Sequence, residues 1–148
     1  MNQRLAFLIF TILCVALLLS GCASGADIPA DAALSVTGQV RRPIGWTIEA
    51  LRDMEQVRAL APCADSGRDK EFKGPSLNAL LDQAKPKSKA SQVVFSGAEG
   101  YTATIDLDTI RQTTDAIVAV TPKGKCRLIV PGLPEEKQVL GLTRIEVR

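Results

Sequence analysis

Phe72-Lys73-Gly74-Pro75-Ser76-Leu77-Asn78-Ala79-Leu80-Leu81 is the stretch on which the fold turns. Gly74-Pro75-Ser76 opens a helix, because a proline in the first helical turn has no intrahelical N–H bond to lose. Leu77, Leu80, Leu81 and Ala84 follow at helical spacing and make one apolar face, and Pro86 stops the run. The spacing predicts one main helix near residues 75–84, lying with its apolar face on a sheet.

The strands of that sheet read outward from the helix. Downstream, Val93-Val94-Phe95 reads as a buried strand and Gly97 to Gly100 as a hairpin-like turn. Tyr101, Ala103 and Ile105 alternate with Thr102 and Thr104, the period of a half-buried strand. Leu107 to Arg111 makes about one helical turn. Ala116 to Val120, Cys126 to Val130 and Thr143 to Val147 complete the set, the last two separated by the Pro/Gly-rich loop Pro131 to Pro134. Upstream, Leu34, Val36 and Val40 form a strand interrupted at Gly38, and Arg41 to Gly45 a turn. Thr47 looks like the N-cap of a short helix to Met54. Val57 to Ala61 reads as a strand and Cys63 to Lys70 as a polar loop. The expectation is a single α+β domain, β-dominated, over residues 34–148.

The N-terminus is of a different kind. Met1 to Arg4 is short and basic, Leu5 to Leu19 is apolar apart from Thr11 and Ser residues stay outside it, and Leu19-Ser20-Gly21-Cys22 follows. A positive end, an apolar middle and small residues at a cut make a secretory signal. The apolar run falls short of the roughly 20 residues that span a bilayer. Leu19-Ser20-Gly21-Cys22 resembles the lipobox of bacterial lipoproteins, which implies removal of residues 1–21 and acylation of Cys22. Residues 22–33, rich in Ala, Ser, Gly, Asp and Pro, read as a lipidated tether. The expected partner is the lipid bilayer, on the periplasmic face of a bacterial envelope; Ala23 after the cysteine favours the outer membrane by resemblance to lipoprotein sorting.

Composition narrows the chemistry. The formal net charge is +2 with no basic cluster, which argues against a nucleic-acid surface. The chain has no His, so the usual general acid/base and the commonest metal ligand are both missing. Cys14 leaves with the signal and Cys22 is acylated, so Cys63 and Cys126 are the thiols left for chemistry. In an exported domain they can pair, and a Cys63–Cys126 bridge would contribute on the order of 4 kcal/mol. Two unpaired thiols are the alternative. Trp46 and Tyr101 sit beside glycines at element starts and read as core or rim packing rather than as ligand stacks.

The order of the pieces resembles the oxidoreductase molybdopterin-binding domain, the fold of sulfite oxidase and of periplasmic methionine-sulfoxide reductases, from Leu34 to Val147. Phe72-Lys73-Gly74-Pro75-Ser76-Leu77 with Leu80-Leu81 looks like its aromatic-x-Gly-x-x-Leu-x-x-Leu-Leu segment. Glu99-Gly100-Tyr101 is similar to its Asp-Gly-Tyr turn, Asp115 to Ala119 to its strand ending in Ala, and Arg127-Leu128-Ile129-Val130-Pro131-Gly132 to its Arg-Leu-Val-Val-Pro-Gly. The resemblance implies a molybdopterin cofactor with Cys63 as the molybdenum ligand and Arg127 or Lys123 near the pterin phosphate. Three departures point the other way: there is no His, the stretch between Ala119 and Arg127 is short, and Leu140-Gly141 replaces the family's Lys-Trp pair. Arg41, Arg42, Lys73, Lys123, Lys125 and Arg127 remain as candidates for anion contact, with solvated surface charge as the alternative for each. The reading is a membrane-anchored binding or assembly module without cofactor, for a small anion or an envelope protein; the alternative is a molybdopterin-dependent oxidoreductase.

Overall fold

A computed structural model describes residues 26–62 and 67–148. Leu34 and Val36 are buried from β1 (Leu34–Gly38), and the chain turns at Arg41-Arg42 to return antiparallel as β2 (Ile44–Trp46). The turn is shorter than expected, because Ile44, Gly45 and Trp46 are all buried and pair with β1. Thr47 caps α1 (Ile48–Asp53) as its chemistry predicts, its Oγ1 accepting from the Ala50 N–H at 3.2 Å.

β3 (Gln56–Pro62) and β4 (Asp69–Pro75) form a separate antiparallel hairpin, in register from Gln56↔Pro75 to Pro62↔Asp69. Asp69 and Lys70 therefore belong to a strand rather than to the expected polar loop. Asp69 to Glu71 are exposed and give no apolar alternation, so cross-strand pairing alone makes them extended. Pro75 ends this strand, and Ser76 caps α2 (Leu77–Ala84), its Oγ accepting from the Ala79 N–H at 3.4 Å. Leu77, Leu80, Leu81 and Ala84 are all buried, as their spacing predicts. Lys85 closes the helix in the left-handed region, φ 56°, donating its N–H to the Leu81 carbonyl at 3.0 Å.

β5 (Gln92–Gly97) and β6 (Thr102–Asp106) pair antiparallel across a short 3₁₀ turn, and α3 (Leu107–Gln112) follows. β7 (Ile117–Val120), β8 (Cys126–Ile129) and β9 (Leu140–Val147) complete a seven-stranded sheet. Its main path is β2-β1-β9-β5-β6, with β9 parallel to β1 and antiparallel to β5. β8 joins β9 at Cys126↔Leu142 and Arg127↔Leu140 and carries β7 on its other side. The result is the single β-dominated α+β domain that the alternations imply.

Two apolar layers hold it. The larger one packs α1, α2 and α3 on the sheet and includes Phe95, Leu128 and Ile145. The smaller one joins Ile117, Ala119 and Ile129 to Ala59 and Ala61 of the hairpin, with Val57 and Phe72 at its margin. β7 and β8 are thus covered on both faces, which explains the unbroken apolar run Ile117–Val120. Gly74 permits the close seat of the hairpin: a Cβ there would lie 2.0 Å from the Val118 carbonyl oxygen. Residues 26–33, read as tether, partly lie along the domain, because Asp27 bridges Ile44 and takes two backbone hydrogen bonds with Pro43 and Gly45.

Candidate functional site

Strand alternation sorts the residues of β8. Cys126 and Leu128 face the larger core, whereas Arg127 and Ile129 face the β3–β4 hairpin. A cleft opens where the hairpin stops covering β7 and β8. It comprises two overlapping cavities of about 420 and 530 Å³ that share Lys70, Thr121, Pro122, Arg127 and Leu140. Phe72, Ala119 and Val120 supply an apolar wall on one side, and Lys123, Lys125 and Cys126 stand on the other.

Arg127 is the centre of this cleft. Its guanidinium lies 4.9 Å from the centroid of the Phe72 ring, whose other cationic neighbour is Lys70 Nζ at 5.9 Å. An Nη2–H donates to the Gln138 Oε1 at 3.2 Å. The buried Nε–H of Arg127 and the Nε2 of Gln138 have no hydrogen-bond partner among the described residues. Gln138 is 5% exposed, so these are two unsatisfied donors at one buried spot, each costing about 1–3 kcal/mol until something accepts from it.

Charge around the cleft is one-sided. Lys70, Lys73, Lys123, Lys125 and Arg127 line it, against the single carboxylate of Glu71, which faces Arg58 at 3.8 Å. Thr121-Pro122-Lys123-Gly124 makes the β7–β8 turn, with Pro122 at its second position and Gly124 donating to the Thr121 carbonyl at 2.9 Å. That turn places Lys123 and Lys125 at the rim. Leu140 is 62% exposed in the same cleft. Gly141, at φ 62°, forms the irregularity that swings it there, and a side chain at that position would be strained.

Of the residues expected at a site, Arg127, Lys123, Lys125 and Lys73 come together here. Arg41 and Arg42 do not: they lie at the β1–β2 turn, where Arg42 pairs with Asp27. Trp46 is 7% exposed in the core, and Tyr101 is half-exposed with its hydroxyl donating to the Glu136 carbonyl. Lys70, Gln138 and the aromatic role of Phe72 are additional. Nothing in a polar stretch or a loop before a strand marks Lys70 or Gln138, whereas the cation–ring pair of Phe72 and Arg127 depends on the hairpin's docking.

Cys22 and Cys63 lie outside the described residues. Cys126 is 3% exposed and carries a free thiol, and burial pushes its pKa up to about 11. At neutral pH only about one molecule in ten thousand holds it as thiolate. As a nucleophile toward another sulfur it is therefore slow. Pro62, the last described residue before Cys63 in the sequence, pairs with Asp69, the neighbour of the cleft residue Lys70.

A β-sheet domain with a docked hairpin and a basic, half-apolar cleft between them is the class that fold and site define. The chain belongs to the oxidoreductase molybdopterin binding domain family, whose model matches residues 24–148. Among solved structures it is similar to the sulfane dehydrogenase SoxCD from Paracoccus pantotrophus, at 20% identity and a TM-score of 0.66 over 77% of this chain. The chain spans about a third of that protein, 37% of its length, so the likeness is one of fold. No curated protein sequence matches the chain.

The cleft meets the demands of such a cofactor only in part. The guanidinium of Arg127, which lines both cavities, and the surrounding lysines suit an anionic group such as a phosphate. Among the described residues no three of His, Cys, Asp and Glu gather, and burial pushes the Cys126 thiol pKa up. Cys63, the thiol that the family resemblance puts on the metal, lies outside the described residues.

Proposed function

We propose that this is a lipid-anchored envelope module that binds an anionic ligand with an apolar body in the cleft between the β3–β4 hairpin and β7–β8. The Arg127 guanidinium, which lines both cavities against the Phe72 ring and among four lysines, carries this reading. A ligand oxyanion there would accept from the Arg127 guanidinium and sit within the field of four lysines. Its apolar part would lie on Phe72, Pro122 and Leu140, which are otherwise solvent-facing or rim surface. The same set contains no general base and no activated nucleophile, so binding and not turnover is the function the residues support. Acylated Cys22 would hold the module on the periplasmic side of its membrane.

The test is a titration with inorganic phosphate and then phenyl phosphate, followed by NMR at the Arg127 Nε–H and the Gln138 side-chain amide. Both signals are expected to move together, with phenyl phosphate the tighter binder, and Arg127→Leu to abolish the shift at Gln138. Unmoved signals at high concentrations of both compounds would remove the cleft as an anion site.

Family membership and the position of Pro62 favour a second reading. In it Cys63 ligates molybdenum, Arg127 and Lys123 contact the pterin phosphate, and the bound cofactor supplies redox chemistry. A Cys63–Cys126 bridge would preclude that ligation while it lasts, and intact mass before and after reduction and alkylation tells the two states apart.

A further inference from the structure

We propose that the end of the domain opposite the cleft is a docking surface for anionic lipid headgroups, and that it holds the cleft facing away from the membrane. The inference rests on the acylation of Cys22. Arg41, Lys85, Lys87 and Lys89 are all exposed there, and none has an ion-pair partner among the described residues. Two carboxylates on the same end, Asp27 and Glu146, are already engaged by Arg42 and Arg148. Four cations therefore stand uncompensated on one face of a chain whose whole net charge is +2.

Backbone hydrogen bonds fix these residues as one surface. Arg41 N–H donates to the Lys85 carbonyl at 2.9 Å, Lys87 N–H to Gln39 at 2.9 Å, and Gln39 N–H to Val147 at 2.7 Å. Gln39, Arg41, Lys87 and Lys89 line a shallow concavity of about 320 Å³, room for a headgroup phosphate.

The anchor delivers this same surface to the bilayer. Asp27 is pinned at the β1–β2 turn by its bonds to Pro43 and Gly45 and by Arg42. Cys22 is five residues before it, a reach of at most about 18 Å. A lipid held at Cys22 thus cannot leave the domain free to tumble far from the surface, and the nearest face is the basic one. β9 runs from Leu140 in the cleft to Val147 beside Gln39. Its seven steps separate the two ends by about 23 Å, more than two Debye lengths at physiological salt. Each cation near an anionic surface adds about a fivefold preference for the bound orientation.

The test uses the full-length protein from its own envelope, reconstituted in vesicles of phosphatidylcholine with or without phosphatidylglycerol. Lysines are labelled with a membrane-impermeant amine reagent and read by mass spectrometry. Lys85, Lys87 and Lys89 should label several-fold less with phosphatidylglycerol present, Lys123 and Lys125 equally in both. Protection should vanish in 1 M salt and in the Arg41→Glu, Lys87→Glu double variant. Equal labelling of Lys87 and Lys89 in both vesicles, or protection that survives salt, overturns the proposal. The intact mass of the same sample reports the acyl chains on Cys22. If they are missing, the anchor reading fails on its own, and labelling of the protein added to preformed vesicles still decides the surface.

Discussion

Replacing Gly74 by alanine probes the contact that builds the cleft. The new Cβ would stand 2.0 Å from the Val118 carbonyl oxygen, 2.6 Å from its carbon and 2.8 Å from the Ala119 Cα. All three are backbone atoms of β7, so no side chain can swing aside. Relief requires the hairpin to move off the sheet by more than an ångström, which opens the small apolar layer around Ala59, Ala61 and Ile129. Overpacking of this kind costs about 1–3 kcal/mol, and a backbone-to-backbone clash belongs at the upper end. For a domain of this size that corresponds to a fall in Tm of about 10 °C. Urea unfolding of both proteins, followed by circular dichroism, measures it. Phe72 is two residues away on the same strand, so the shift should also separate its ring from Arg127 and weaken phosphate binding. A Gly74→Ala midpoint within about 0.5 kcal/mol of the parent, the scatter of ordinary surface changes, would refute the docking geometry.

Three further outcomes are expected. In the reduced protein, burial holds the Cys126 pKa at about 11, above the unfolded value, so its contribution is intact below about pH 9 and declines through pH 11. The decline amounts to about 2 kcal/mol at pH 11, and a stability–pH profile of Cys126→Ala should be flatter by that amount; parallel profiles would show the thiol to be solvated. Lys85→Gly should raise stability by up to about 1 kcal/mol in thermal unfolding, because the left-handed cap at φ 56° suits glycine, and a loss would mean that the side chain packs productively. Thr47→Ala should cost about 1 kcal/mol through its cap on the Ala50 N–H, an effect absent if the first turn of α1 is held by tertiary contacts alone.

Much of the fold is legible in the chain because its periodicities are strong. Leu77, Leu80, Leu81 and Ala84 specify a helix face, and Ala103 with Ile105 a strand face, and each buries the side its spacing predicts. β4 is the failure: Asp69 to Glu71 are exposed, and their extended form comes from pairing with β3 and from the space left by Gly74, both non-local. The site divides in the same way. Arg127 stands out through the family's Arg-Leu-Val-Val-Pro-Gly likeness and the rim lysines through their turn. Lys70 and Phe72 reach Arg127 only when the hairpin docks, and Gln138 meets it through the β8–β9 connection, so no local pattern marks them. The basic surface at Arg41, Lys85, Lys87 and Lys89 is likewise assembled from two loops tied by backbone hydrogen bonds.

The most direct measurement of the central claim is the molybdenum and pterin content of the protein purified from its own envelope. Metal is read by mass spectrometry and pterin by fluorescence after its release. A binding module without cofactor predicts neither across repeated preparations, together with phosphate-responsive signals at Arg127 and Gln138. Stoichiometric molybdenum that disappears in Cys63→Ser would contradict it and make the chain a molybdopterin-dependent oxidoreductase.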